Sequence, residues 1–545
     1  MKKIALPLFA MLSFSSLQAA VSDTVRIKEA ELPILIDRQD NPLFYIKLDA
    51  KSTDQLNQLV VKFDNSTVLK QIKSLKLYYS GSEALQLQNS NRFAPVSYIS
   101  REIPGKTHAA NPSYSMEIDR IDAPKNKVLK FNVDKDLYPG VNYFWVSIEM
   151  KENTPILTKF SADVTEVKVN NVKAVLDQVP VREEVRRVGV GVRYAGDDNV
   201  LAYRIPGLVT TNEGSLLAVY DIRYNNSVDL QEHVDIGLSR STDKGQTWEP
   251  MRTTITFGNE GGLPTSQNGV GDPAILVDKK TGTIWTIAAW THGMGNQRAW
   301  FSSHPGMEKE VTAQLVLSKS TDDGKTWSKP INITEQVKKD EWYFLLQGPG
   351  MGITMEDGTL VFPIQFIDKN RLPHAGIMFS KDNGETWAIN EPARSNTTEA
   401  QVAEVEPGLL MLNMRDNRGG SRAVATTTDL GATWKEHSSS RSALPESVCM
   451  ASLIKVNASD NELGKDVLLF SNPNTTKGRH SITIKASLDG GKTWSEDHQV
   501  MLDEGHGWGY SCLTLVDPET VGIIYEGSQA HMIYQNIKLK DIIKH

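Results

Sequence analysis

Five stretches of the chain obey one eight-residue template, Ser/Thr-x-Asp-x-Gly-x-Thr-Trp: Ser241 to Trp248, Ser320 to Trp327, Ser380 to Trp387, Thr427 to Trp434 and Ser487 to Trp494. Their starts lie 79, 60, 47 and 60 residues apart, so a unit of about 60 residues recurs, and the region from about Arg187 to His545 has room for six. Strand-like runs precede the copies, Ile236-Gly-Leu-Ser before the first and Leu315-Val-Leu-Ser before the second. Short strands at that period predict a six-bladed β-propeller rather than a helical solenoid. The template itself reads as a tight turn. Its Asp accepts backbone N–H bonds, its Gly supplies a positive φ, and its Trp fills the gap between neighbouring blades. A catalytic site is not built five times over, so Asp243, Asp322, Asp382, Asp429 and Asp489 are read as structural.

Ahead of the repeat the grammar changes. From Val21 to Val179 the chain alternates with period two: Leu129, Phe131 and Val133 share one face, and Phe144, Val146, Ile148 and Met150 another. Tyr79-Ser-Gly-Ser82 and Tyr138-Pro-Gly140 read as turns. The expected fold is all-β, a β-sandwich over 21–179 joined by a polar linker, 180–187, to the propeller, 188–545. The sandwich reads equally as a carbohydrate-binding or a structural domain. At the very start, Lys2 and Lys3, the apolar run Ile4 to Leu12 and the small pair Ala19-Ala20 spell a signal peptide over 1–20. The chain is thus expected to be exported, periplasmic or secreted, from a Gram-negative bacterium. No stretch reaches the length of a membrane span.

Charge narrows the partners. With 59 Lys and Arg against 66 Asp and Glu the net charge is −7, and no basic run stands out, which excludes nucleic acid as a bulk partner. An anionic small substrate would need a local cluster of cations instead. Two cysteines, Cys449 and Cys512, exclude a disulfide scaffold and leave at most one bridge. The 11 histidines show no metal-binding spacing, and Gly258-Asn-Glu-Gly-Gly262 lacks the setting of a phosphate loop, so no cofactor and no metal is expected.

The segment Tyr203-Arg-Ile-Pro-Gly207, followed by five copies of the turn called the Asp box, resembles the bacterial exo-sialidases, or neuraminidases. The resemblance covers the C-terminal two thirds, and the N-terminal part looks more loosely like the extra domain many of them carry. It implies a retaining exo-α-sialidase acting on sialylated glycoconjugates, with three arginines clamping the substrate carboxylate: Arg204, Arg415 in Leu412-Asn-Met-Arg-Asp416, and Arg479. Arg418 and Arg422 compete with Arg415. Paired hydrogen bonds from a planar guanidinium suit a carboxylate in a way lysine cannot match. By the same resemblance Asp229 is the general acid, with Asp235 as rival, though Asp235 falls in a strand-like run. Tyr510 is the nucleophile and Glu399 its base, with Glu404 as rival. A phenol suits a substrate whose reacting carbon bears a carboxylate, because an attacking carboxylate would meet like charge, and it needs an adjacent base. Glu526 is expected to steady Arg204, and Arg223 and Asp272 to contact the sugar ring. Asp272-Pro273 reads equally as a turn start. The segments 257–271 and 292–307, the latter with Trp300 and Phe301, are candidate walls of the site. A transferase or anhydro-product-forming sialidase would use the same residues, and a non-catalytic glycan-binding propeller is the alternative from another class. The chain is expected to act as a monomer.

Overall fold

The computed structural model describes residues 24–64, 68–82, 115–295 and 297–544, so the signal-peptide reading of residues 1–20 lies outside them. Nearly everything described is β-structure. In the N-terminal region a six-stranded and a four-stranded sheet share one apolar core. Strand Val128–Asp136 turns Leu129, Phe131 and Val133 inward and leaves alternate residues exposed, as its period demands. Strand Gly140–Met150 differs: from Asn142 onward both faces are buried. One face carries Phe144, Val146 and Ile148 into the core, while the other sets Trp145 between Tyr45 and Tyr78, its partners on the flanking strands. The expected turn at Tyr79–Ser82 is not a turn. Strand Ile72–Ser82 continues through it, pairing Ser82 with Asn142 across a register shift at Gly81, which takes φ 93°.

Beyond Arg186 the described residues form six larger, mainly antiparallel sheets in chain order, with a two-stranded ribbon, Gly420–Ser421 against Pro445–Glu446, beside them. Their first strands are Ala202–Thr210, Val270–Val277, Phe344–Gln347, Thr397–Glu406, Ser452–Val456 and Ser511–Asp517. These strands touch one another in succession except at the third sheet, where Leu360–Ile367 is the strand that meets Thr397–Glu406, and Ser511–Asp517 returns to contact Ala202–Thr210. The sixth sheet has no Asp box. It is completed instead by strand Arg186–Arg193, which pairs with the C-terminal strand Met532–Lys538. The supposed linker is therefore already strand at its last two residues. That strand also pairs with Ile34–Leu35 and Lys159–Phe160, tying the N-terminal region to both ends of the repeat region.

Each Asp box is one hydrogen-bonded unit. In the first, Ser241 Oγ and Thr247 N donate to Asp243 Oδ1 at 2.8 and 2.9 Å, and Thr247 Oγ1 donates to Oδ2 at 2.6 Å. The other four repeat the pattern. Two successive residues, not one, take positive φ: Lys244 at 60° and Gly245 at 85° in the first box. The glycine is required twice over there, because a Cβ would also collide with the Tyr534 ring of the sixth sheet. Trp248 meets Tyr534 edge-on at 5.0 Å and Trp387 meets Trp285 at 6.4 Å, so these indoles do fill seams between adjacent sheets.

Candidate active site

A cleft of about 480 Å³ opens where the first strands begin. Arg204, Asp272 and Glu399 are each the third residue of such a strand, and Tyr510 immediately precedes Ser511–Asp517. The three strands share a device. In each the ladder slips at the site: Ile205 and Pro206 intrude between the Arg204 and Gly207 pairs, Asp272 and Pro273 between the Gly271 and Ala274 pairs, and Thr398 and Glu399 between the Thr397 and Ala400 pairs. Such bulges bend a strand and re-aim its side chains. Two of them place a non-glycine residue at positive φ, Ile205 at 61° and Asp272 at 58°. Asp272-Pro273 is thus a bulge within a strand, not the start of a turn.

The Glu399 bulge lies opposite Arg415 on the hairpin partner Leu409–Asp416. Arg415 Nη1 donates to Glu399 Oε2 at 2.5 Å and to the Tyr510 hydroxyl at 3.0 Å, and the Tyr510 hydroxyl donates to Glu399 Oε1. Burial, and then the Glu399 charge, push the phenol well above its ordinary pKa despite Arg415 and Arg479 nearby. Tyr510 is therefore neutral until a base takes its proton. Glu404, the rival base, turns away to cap Glu356 N and Gly408 N.

Glu526 is fully buried and does three jobs. It accepts from Arg204 Nε at 2.7 Å, from Ile205 N at 2.9 Å and from Tyr510 N at 3.0 Å. One carboxylate thus fixes an arginine and the backbone of the phenol together. The Arg204 guanidinium lies over Trp508 at 4.6 Å, and its terminal nitrogens make no hydrogen bond among the described residues. Arg479 donates to the carbonyls of Trp508 and Val448 at 2.9 and 3.0 Å and lies 5.5 Å from the Tyr510 ring. Arg204, Arg415 and Arg479 all line the cleft. The competitors do not: Arg422 is buried against Glu446, and Arg418 pairs with Asp416 outside.

Asp229 lines the same cleft from the loop after strand Leu216–Arg223, its side chain 57% exposed. The Asp229 carboxyl is held down on balance. Burial raises it, but Arg223, Arg204 and Arg298 together lower it below the ordinary carboxylate value. Asp235 is a strand residue as expected, its carboxylate accepting from the Tyr224 hydroxyl at 3.2 Å. Asp272 has the opposite bias from Asp229. Burial and the neighbouring Asp221 carboxylate drive it well above the usual range.

Arg223 departs from its expected place. Only 1% exposed, it uses Nε and Nη2 on Asp221 and Nη1 on Ser227 O and Asp229, so it faces the acid from behind and no nitrogen is left for a sugar. Asp221 was missed, although Asp-Ile-Arg on a strand puts both charges on one face. Trp508 and Arg298 were also missed as individual residues. Segment 292–307 does form a wall, through the short helix Ala299–Ser302 with Trp300 and Phe301, whereas 257–271 does not line the cleft. Cys449 and Cys512 are both buried free thiols.

A cleft lined by three arginines, a phenol paired with a carboxylate, and a further exposed carboxyl has the groups a glycoside hydrolase for an acidic sugar needs. Residues 22–173 match the N-terminal domain of BNR-repeat neuraminidase, and residues 205–526 match the BNR repeat-like domain. Across its whole length the chain is 64% identical to a sialidase of Bacteroides fragilis, covering all of that protein. It is 33% identical to a sialidase of Paraclostridium sordellii over 63% of this chain and 84% of that one. Among solved structures, the Hadza microbial sialidase Hz136 matches with a TM-score of 0.90 and 61% identity, over 95% of this chain and 100% of that one. The chain belongs to the BNR-repeat neuraminidase family, the sialidases, and is an enzyme of that class.

Proposed function

We propose that the enzyme is a retaining exo-α-sialidase, hydrolysing terminal sialic acids from glycoproteins, glycolipids and oligosaccharides through a tyrosyl-enzyme intermediate. The observation that carries this reading is the Tyr510 hydroxyl bonded to Glu399, with Arg415 touching both, in the cleft that Asp229 also lines. The substrate carboxylate sits among Arg204, Arg415 and Arg479. The Tyr510 oxygen attacks the anomeric carbon as its proton passes to Glu399. The glycosidic C–O bond breaks, and Asp229 gives its proton to the departing oxygen. Water then attacks the same carbon, losing a proton to Asp229, while the Tyr510 oxygen leaves and recovers its proton from Glu399. Two displacements restore the starting configuration. Asp272, its carboxyl pushed up by burial and by Asp221, contacts the sugar ring, and Arg223 acts through Asp229.

The same reading treats the six sheets as blades of one propeller around a central channel, with residues 21–179 as a sandwich domain, 180–187 as the junction and 188–545 as the catalytic domain. Successive contacts between neighbouring sheets, closing from the sixth back to the first, support it. Residues 1–20 are an export signal, the mature protein is periplasmic or secreted, and it acts as a monomer. Among the described residues no helix is long and apolar enough to cross a membrane.

A sialosyl fluoride fluorinated at carbon 3 tests the mechanism. It should leave a glycosyl mass on Tyr510, found by peptide mapping, and Tyr510→Phe should take no label. Proton NMR of ordinary turnover should show the α-anomer of sialic acid first. A label on another residue, or the β-anomer first, would overturn the reading.

A further inference from the structure

Segment 503–510 connects strand Gln499–Asp503 to strand Ser511–Asp517 and carries both Trp508 and Tyr510. The repeat region holds its far end through Gly509 N and Tyr510 N, which both donate to Glu526. Its near end is held by the N-terminal region. Glu504 N donates to Glu31 O at 2.9 Å, Glu31 N donates to Glu504 Oε1 at 3.2 Å, and Lys28 Nζ donates to Glu504 Oε2 at 2.8 Å. The Glu31 carboxylate is itself fixed by Arg182 N and Glu183 N, each at 2.8 Å. A second clamp lies beside it. Arg38 Nη1 donates to Gln529 Oε1 at 2.5 Å, just beyond Glu526 in the chain, and Gln529 Nε2 donates to Ser528 Oγ at 3.0 Å. Ser528 N and Oγ donate to the buried Asp503, at the root of the nucleophile segment. The two segments that meet at Tyr510 are thus each gripped from outside, and Asp503 links the grips.

We propose that the N-terminal region is a positioning element of the active site: Lys28, Glu31 and Arg38 hold, through Glu504 and Gln529, the segments that present Tyr510 and its brace Glu526. The Lys28–Glu504 pair is stronger than an exposed one, since both side chains are less than a third exposed and Glu504 is bound at three points. A nucleophile displaced by a fraction of an ångström loses more rate than affinity: the arginines of the cleft do touch its segment, Arg415 at the Tyr510 hydroxyl and Arg479 at Trp508 O, but Arg415 stays bonded to Glu399 and Arg204 to Glu526. This inference rests on Tyr510 being the nucleophile.

The full-length enzyme is assayed with a methylumbelliferyl sialoside, a substrate too small to reach a separate sugar site. Reactive sites are counted by fluorosialosyl labelling, so a misfolded fraction is subtracted. Lys28→Ala and Arg38→Met should each lower kcat per labelled site about 3- to 10-fold with KM within twofold, slow labelling of Tyr510 by a similar factor, and lower kcat further when combined. Lys28→Arg should recover most of the loss. Where Lys28→Ala does not fold, Arg38→Met alone decides. Unchanged kcat per site overturns the proposal, as does a change confined to KM or to glycoprotein substrates, which would make the region a sugar-binding module. Failure of the underlying reading shows separately, as wild-type label on a residue other than Tyr510.

Discussion

The Asp boxes and the cleft use the same side chain to opposite ends. In a box, the carboxylate is saturated: Asp382 accepts from Ser380 Oγ, Thr386 N and Thr386 Oγ1, and those bonds hold it below the ordinary pKa. In the cleft, Asp229 offers a mostly exposed carboxyl whose one side-chain partner is Arg223, and Asp272 is pushed up by burial beside Asp221. A saturated carboxylate cannot exchange a proton or meet a substrate without breaking the turn it builds. An unsaturated one is costly to the fold and useful to chemistry. Repetition therefore marks the first kind and single occurrence the second, and the difference can be broken experimentally at each end.

The largest effect belongs to the most committed cleft group. Glu399→Gln removes the acceptor for the phenol proton while keeping shape, and should lower kcat/KM by on the order of 10²–10⁴-fold, the range expected for losing a general base. Thermal stability should stay near that of the parent protein, since the amide can still accept from Tyr510 or Arg415. A box-like result, with activity kept and stability lost, would remove Glu399 from the chemistry.

Asp229→Asn comes next, and its effect should depend on the leaving group: on the order of a hundredfold or more for an alkyl glycoside, far less for a nitrophenyl one that departs without a proton. The pH profile carries the sign. In the free enzyme Arg223, Arg204 and Arg298 keep Asp229 low. A bound sialoside adds a negative charge against Arg204 and covers the exposed carboxyl, and both changes raise its pKa. The alkaline limb of kcat should therefore lie at higher pH than that of kcat/KM. Coincident limbs would show that Asp229 does not feel the substrate.

How much of this could be read beforehand follows from the same distinction. The boxes were legible because the hydrogen bonds to each carboxylate are local, within eight residues of sequence; what was not legible is the second left-handed residue, which no residue type advertises, since Lys244, Asp323, Asn383 and Leu430 all occupy it. Arg204, Glu399, Arg415, Arg479 and Tyr510 could be nominated by resemblance, and the fold gathers all five. Arg223 was misplaced because its role depends on what fills its other nitrogens, and Asp221 beside it carries no motif. The bulges at Ile205, Asp272 and Thr398 left a trace only in Ile205-Pro206 and Asp272-Pro273, where proline interrupts a ladder. The contacts of Lys28 with Glu504 and of Arg38 with Gln529 join residues more than 470 positions apart, and no local pattern encodes them.

The smallest effect tests the box side. Asp382→Asn keeps one acceptor and loses the charge, so at neutral pH it should cost about 1 kcal/mol, less if solvent competes at this exposed turn, with kcat/KM unchanged within twofold. That corresponds to a fall of roughly 2 °C in melting temperature. The gap should depend on pH in one direction. A carboxylate whose pKa is lower folded than unfolded contributes stability above its unfolded value and loses it as pH falls toward its folded value. The ordinary value is 3.8, and the sister residues Asp322 and Asp429 are lowered to about 2. The melting difference between parent and Asp382→Asn should accordingly hold from pH 7 to about 5 and close between about pH 4 and pH 2, as the parent's carboxylate is protonated and becomes no better an acceptor than the amide. A difference that stayed constant through that window would mean the box needs the shape of the aspartate and not its charge. The contrast with the cleft would then rest on solvent access alone.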